Sequence, residues 1–265
     1  MAIFSIMHPG SGNGNQLCRY LAVRCLAANK GFDFGVINPE GFKGKSFMNL
    51  DMGVPFPGTF EVRNGGYCQP LNHNLKWFEE TKVVNELGWD VRPYDWRFEA
   101  VQDGTICDGE FQSQTYIEDY IDDIQEWCHT EPLPMNPETC LINFRGGPDY
   151  IHNPEVFLPR SYWLNAISMM QTINPRMIFE VHTDDIPTAR QFFPQHLKYV
   201  HDIGINWRAV RCAKFLILSN SSFAIIPALL NTNVQKIIAP KFWAGHNSGV
   251  WRMQQNQYPS FTYIM

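Results

Sequence analysis

From Thr139 onward the chain alternates short apolar runs with amphipathic stretches so regularly that few folds remain open to it. Thr139 to Phe144, Arg176 to Val181, Leu197 to Val200, Phe215 to Leu218 and Val234 to Ile238 have the length of strands. Between them, Arg160 to Ile173, Asp185 to Phe193, Asn206 to Ala213 and Ser221 to Leu230 carry helical spacing. Strands joined by crossover helices pair in parallel, so this half is predicted to be a parallel sheet covered by helices. In such sheets ligands bind beyond the carboxyl ends of the strands. Asn143-Phe-Arg-Gly-Gly147, His182-Thr-Asp-Asp185 and Ser219-Asn-Ser-Ser-Phe223 each fall at such an end and converge on one rim.

The first half opens in the same idiom. Ala2 to Met7 reads as a buried strand running into the turn-forming His8-Pro-Gly-Ser-Gly-Asn-Gly14, and Asn15 to Lys30 reads as a helix stopped by Gly31. Phe32 to Ile37 is the next strand, and Asn38 to Gln69, rich in Gly, Pro and Asn, is predicted to be irregular loop. Asn74 to Leu87 is predicted to be helical and Thr105 to Phe111 a strand. From Ser113 to Cys128 an apolar stripe (Tyr116, Ile117, Tyr120, Ile121, Ile124, Trp127) faces acids that form a solvated side, the strongest helix signal in the chain. Glu131-Pro-Leu-Pro-Met-Asn-Pro137 then forbids regular structure and marks a domain boundary. The expected layout is residues 1–133, residues 138–243 and a C-terminal extension over residues 244–265.

Composition narrows the function. Of 265 residues 45% are hydrophobic and 18% charged, which suits a packed core. Lys plus Arg number 21 against 26 Asp plus Glu, net −5, and no basic run occurs, so nucleic acid and anionic membranes are not expected partners. Seven scattered cysteines without a C-x-x-C pair read as reduced thiols, and no apolar run reaches the length of a membrane span. The expectation is a soluble cytoplasmic protein without a transmembrane segment.

The short motifs each carry two readings. Gly10-Ser-Gly-Asn-Gly14 ahead of a helix is either an anion cradle or a turn without a ligand. It lacks G-x-G-x-x-G spacing and a ribose-binding acid, which argues against a dinucleotide oxidoreductase. Arg145 between a strand end and Gly146-Gly147 suits bidentate phosphate binding, the rival being a surface arginine in a turn. Thr183, Asp184 and Asp185 are helix-capping types as well as ligand types, and so are Ser219, Asn220, Ser221 and Ser222. No D-x-D, no zinc spacing among His and Cys, and no G-x-S-x-G elbow occurs, so neither a metal nor a serine nucleophile is expected.

Four segments, in chain order, together resemble the inverting α-1,2-fucosyltransferases of glycosyltransferase family 11. Gly12-Asn-Gly-Asn-Gln-Leu-Cys-Arg-Tyr20 is similar to that family's G-x-GNQLFQY segment, and Glu110-Phe-Gln-Ser-Gln-Thr-Tyr116 to its FQS-KY segment. Leu218-Ser-Asn-Ser-Ser-Phe223 with Ile238-Ala-Pro-Lys-Phe-Trp243 resembles its SNSSFSWW and IAPKKWF end. The family's phosphate-binding H-x-R-R-x-D falls on Asn143 to Asp149, where Arg145 keeps the first arginine while Asn143 replaces the histidine and Gly146 the second arginine.

The resemblance implies an α/β, GT-B-like pair of Rossmann-type domains with parallel sheets facing a cleft. The nucleotide sugar would be held by the C-terminal domain and a glycan or oligosaccharide acceptor by the N-terminal side, with no metal and no cofactor beyond the co-substrate, GDP-fucose. It implies that Arg145 binds the donor diphosphate; the displacement chemistry itself adds Asp149 as the candidate base and Asn15 as a positioning group, completing the catalytic set. Donor binding falls to Asn143, Gly146, Gly147, Thr183, Asp184, Ser219, Asn220, Ser221, Ser222 and Phe223, and the acceptor-side loop to Gly12, Gly14 and Gln16. The two departures keep another nucleotide sugar, or a non-catalytic glycan-binding module, as alternatives.

Overall fold

The computed structural model describes residues 2–84, 88, 90–194, 197–249, 252–253 and 257–265. Contacts divide the chain into two units, Met1–His129 and Thr130–Met265. The elements of the first are β1 (Ala2–Ile6), α1 (Asn13–Lys30), β2 (Asp33–Ile37), β3 (Thr59–Arg63), β4 (Tyr67–Leu71), β5 (Lys76–Glu79), β6 (Val83–Val84), β7 (Asp90–Val91), β8 (Thr105–Asp108) and α2 (Ile121–Trp127). Its main sheet runs in the order β2-β1-β8-β5, every pair parallel. All five residues of β1 are buried, which explains its lack of alternation in the sequence. α1 ends at Gly31, whose φ of 65° is the left-handed cap that a side chain disfavours.

The second unit holds β9 (Thr139–Phe144), α3 (Pro148–Ile151), α4 (Arg160–Ile173), β10 (Ile178–Thr183), α5 (Ile186–Phe192), β11 (Lys198–Val200), α6 (Ile203–Cys212), β12 (Phe215–Ile217), α7 (Ser222–Leu229), β13 (Lys236–Pro240), β14 (Phe242–Ala244), β15 (Arg252–Met253) and β16 (Phe261–Ile264). The strands β11-β10-β9-β12-β13-β16 form one parallel sheet. Along β9 side chains alternate faces: Cys140, Ile142 and Phe144 pack with Tyr162, Trp163 and Met170 of α4, while Leu141 packs with Ala209, Val210 and Ala224 of α6 and α7. Both faces are therefore covered. The two α/β units, each built on a parallel sheet, match the fold class expected from the alternation.

Several local expectations fail, each for a nonlocal reason. The end of the stretch expected to be irregular, Asn38 to Gln69, instead forms the antiparallel hairpin β3/β4, which runs on to Leu71. Asn74 to Leu87, expected as helix, contains β5, recruited by pairing with β8, and β6; residues 85–87 lie outside the described set. The helix expected over Ser113 to Cys128 shrinks to α2 plus two single 3-10 turns, Gln114–Tyr116 and Glu118–Tyr120. Tyr116 is pinned by the buried Glu80, its hydroxyl 3.0 Å from Oε1, and Ile117 and Tyr120 leave helical geometry on either side of the second turn. Residues 244–265, expected as an extension, supply β16, the edge strand of the second sheet.

Candidate functional site

The second sheet reverses its strand order at β9: β10 and β11 lie to one side, β12, β13 and β16 to the other. Such a reversal leaves a crevice beyond the carboxyl ends of the two flanking strands, the place where open α/β sheets bind ligands. Here that crevice lies between β9 and β12. Asn143 near the end of β9 and Ser219 after β12 are both buried, and Ser219 Oγ donates to Asn143 Oδ1 at 2.8 Å, tying the two loops together.

Arg145, one residue past β9, sits at this crevice between two carboxylates. Its Nη1 lies 2.7 Å from Asp184 Oδ2 and its Nη2 2.7 Å from Asp149 Oδ2. The guanidinium also lies over the ring of Tyr150, 4.8 Å from its centre, while Nε is buried without a hydrogen-bond partner among the described residues. Tyr150 Oη in turn donates to the carbonyl of Asn220 at 2.8 Å, so the arginine loop is fastened to the Ser219 loop as well. Burial pushes the Tyr150 hydroxyl up to about 12, which keeps it a neutral donor.

The glycines after Arg145 are explained by packing. A Cβ on Gly146 would lie 2.6 Å from the Phe144 ring, and one on Gly147 2.7 Å from Asp184 Oδ2. The Gly146 N–H, expected to face a phosphate, donates to Asp184 Oδ1 at 2.8 Å. Asp184 thus spends both oxygens on the arginine loop. Asp185 is the cap of α5, accepting from Thr188 N–H at 3.1 Å, and Thr183 Oγ1 accepts from the Asp185 N–H at 3.0 Å.

Beyond β12, Ser221 is the N-cap of α7 with no side-chain capping bond, and because α7 follows β12 directly its amino end lies on the carboxyl side of that strand. Asn220 is fully buried and donates to the carbonyls of Val156 and Trp243, a structural brace. Phe223 meets Trp207 edge-on at 5.9 Å. His182 is also fully buried, between Asn206 Oδ1 at 2.9 Å and Glu180 Oε1 at 3.0 Å. The hydrogen bond from His182, with help from Lys198, holds the Glu180 carboxyl below its usual range.

In the first unit, Gln16 is not available to a ligand. It is fully buried, with Nε2 donating to the carbonyls of His8 and Gly41 and Oε1 accepting from the Lys43 N–H, so it braces the glycine loop. Gly14 is buried in the first turn of α1; Gly12, its N-cap, faces open space. Asn15 Oδ1 accepts from Gln112 Nε2 at 2.9 Å, which joins the two N-terminal motif segments. Tyr150 went unnoticed in the sequence, because nothing in its spacing announces a ring beneath the arginine. Among the described residues no cluster of three or more His, Cys, Asp or Glu could hold a metal, and no helix is long and apolar enough to cross a membrane.

No protein-family model matches the chain. Over 170 residues it is 26% identical to the O-antigen biosynthesis glycosyltransferase WbnK of Escherichia coli, a match spanning 57% of this chain and 56% of that protein. The chain thus matches about half the length of this curated relative. A NodZ α-1,6-fucosyltransferase structure co-crystallised with GDP overlays at a TM-score of 0.48 and 15% identity, covering 97% of this chain and 99% of that one. A selenomethionine structure of NodZ from Bradyrhizobium gives 0.47 and 15%, covering 90% and 94%. The sequence relative is named a glycosyltransferase, the class that the motif resemblance implies.

Proposed function

We propose that this chain is an inverting, metal-independent glycosyltransferase that binds GDP-fucose at the β9/β12 crevice and transfers fucose to a glycan hydroxyl in α-1,2 linkage. The observation that supports the donor site is Arg145, held one residue past β9 by Asp184 and Tyr150. Its other partner, Asp149, has a side chain 62% exposed, and exposed ion pairs contribute only about 0–1 kcal/mol. A diphosphate, which accepts bidentate charge-assisted bonds, displaces Asp149 at small cost while Asp184 keeps the guanidinium in place. As the bond between the sugar C1 and the phosphate oxygen breaks, the negative charge gathers on the diphosphate. Arg145 and the amino end of α7 stabilise it there, which is why the reading needs no metal. The acceptor oxygen bonds to C1 and loses its proton to solvent or a nearby base. We assign Asp149 the role of Arg145's exchangeable counter-ion in place of that base.

A second reading keeps the chemistry and changes the donor. Asn143 stands where the family has histidine, and it is buried with its Oδ1 taken by Ser219, so it offers a guanine no imidazole and no free acceptor oxygen. Incubation with GDP-fucose and a galactose-terminated glycan in EDTA, followed by assay of released GDP, tests the proposal. Acceptor-dependent release is expected. Release only from UDP- or dTDP-sugars would favour the second reading, and absence of both nucleotide binding and release would leave a glycan-binding module.

A further inference from the structure

The first unit repeats the same geometric device. β1 lies between β2 and β8, and β5 lies beyond β8, so strand order reverses at β1 and a crevice opens past the carboxyl ends of β1 and β8. A cavity of about 390 Å³ occupies it, and every lining residue belongs to this unit. His8, just after β1, and Asp108, the last residue of β8, meet at its floor, with Nε2 3.0 Å from Oδ1. The Cys68 N–H donates to His8 Nδ1 at 2.9 Å, so Nε2 carries the proton and donates to Asp108.

One wall is the β3/β4 turn. Gly10 N–H donates to the Gly66 carbonyl at 3.0 Å, and a Cβ on Gly10 would stand 1.9 Å from the Gly65 carbonyl oxygen. The glycine-rich loop therefore serves to bring this turn, and Tyr67 beside it, to the cavity. Tyr67 stacks on His8 at 4.6 Å, reaches Asp108 Oδ2 with its hydroxyl at 3.2 Å, and is still 42% exposed. The opposite wall is held under strain. Phe111 has φ 48°, unusual for a bulky residue, and the buried Glu80 fixes it there by accepting the N–H groups of Glu110 and Phe111.

The charges in the cavity select its ligand. Each nitrogen of Arg19 is engaged within the protein, Nε donating to the Gly109 carbonyl, Nη1 to Ser11 Oγ and Nη2 to Glu110 Oε1. Arg92 faces Glu80 at 3.8 Å. Glu79 at the end of β5 lines the cavity, and no hydrogen bond or ion pair to a described residue engages its carboxylate. An anion would meet carboxylates here. A ring of hydroxyls has donors for Glu79 and Asp108 and a C–H face for Tyr67.

We infer that this cavity binds a neutral pyranose ring, with Glu79 accepting its hydroxyls and Tyr67 carrying its apolar face. Calling that ring part of the acceptor rests on the glycosyltransferase reading; the binding itself does not. The test is saturation-transfer NMR and titration of the full chain, without nucleotide, using methyl β-galactoside, methyl β-glucoside and methyl α-mannoside. At least one should bind the wild type and Arg145→Ala equally. Glu79→Gln and Tyr67→Ala should weaken binding about tenfold or more, with Tyr67→Phe largely retaining it. Glu79 is exposed, so its variant decides the matter if Tyr67→Ala does not fold. Absence of binding by the wild type, or binding indifferent to Glu79→Gln, would overturn the proposal. GDP binding without sugar binding would sink this inference and leave the donor reading standing; the reverse would sink the donor reading alone.

Discussion

Asp184 holds both Arg145 and the backbone after it: Oδ2 lies 2.7 Å from Arg145 Nη1 and Oδ1 accepts the Gly146 N–H at 2.8 Å. One carboxylate thereby fixes where the guanidinium points. Asp184→Ala should lower GDP affinity about tenfold by releasing Arg145. It should also cost about 1–3 kcal/mol of stability by stranding the Gly146 N–H. Calorimetric titration and urea unfolding measure the two effects separately; unchanged affinity would show that Arg145 needs no such brace.

Gly147→Ala separates shape from backbone freedom. The φ of −64° suits any residue, but the new Cβ would stand 2.7 Å from Asp184 Oδ2 and 3.0 Å from Asp149 Oδ1. GDP affinity should fall while the melting temperature moves little. Gly12→Ala, where a Cβ meets nothing within 4 Å, is the matched control and should leave both unchanged.

Acid stability should depend on Asp95. It accepts from Arg97 Nε at 2.9 Å and Nη2 at 2.6 Å and from Thr81 N–H and Oγ1, and the Arg97 bonds hold its carboxyl well below the usual range despite burial. A folded-state pKa lower than the unfolded one adds stability above the unfolded value, lost as pH falls through the folded value. Asp95→Asn should therefore cost about 1–3 kcal/mol at pH 7. The gap from the wild type should narrow steadily as pH drops below about 4. Urea midpoints at pH 7, 5 and 3 provide the check; a constant gap would contradict the charge-based account.

Thiol reactivity should be confined. No disulfide joins the seven cysteines, and six are buried. Burial pushes Cys18 up to about 12 and Cys68 up to about 11, leaving almost no thiolate at neutral pH. Cys212 is the one with partial exposure. Peptide mapping after brief alkylation of the native protein should find Cys212 modified first; rapid labelling of Cys18 would refute the packing around α1.

What was legible in the sequence was local. β9 and α4 fall where their apolar pattern puts them, because a strand buried on both faces and a long amphipathic helix each declare their own period. β5 departs from its local helical pattern because its state is set by pairing with β8, 26 or more residues away along the chain from Glu79 to Thr105. The stripe from Tyr116 to Trp127 is genuine, yet Glu80 claims Tyr116 and breaks the helix it predicts. At the site, Arg145 was legible as a charge among glycines, but its counter-ions were not, since Asp184 arrives from another strand end. The pairing of His8 with Asp108, 100 residues apart, had no sequence signature at all.

The central claim is that Arg145 holds a nucleoside diphosphate, and isothermal titration of GDP into the wild type and Arg145→Ala tests it most directly. The account predicts saturable binding by the wild type and a loss of at least about tenfold in the variant, with both proteins unfolding at the same temperature, since charge-assisted phosphate bonds are worth about 1.5–3 kcal/mol. Equal binding by the two proteins would contradict it.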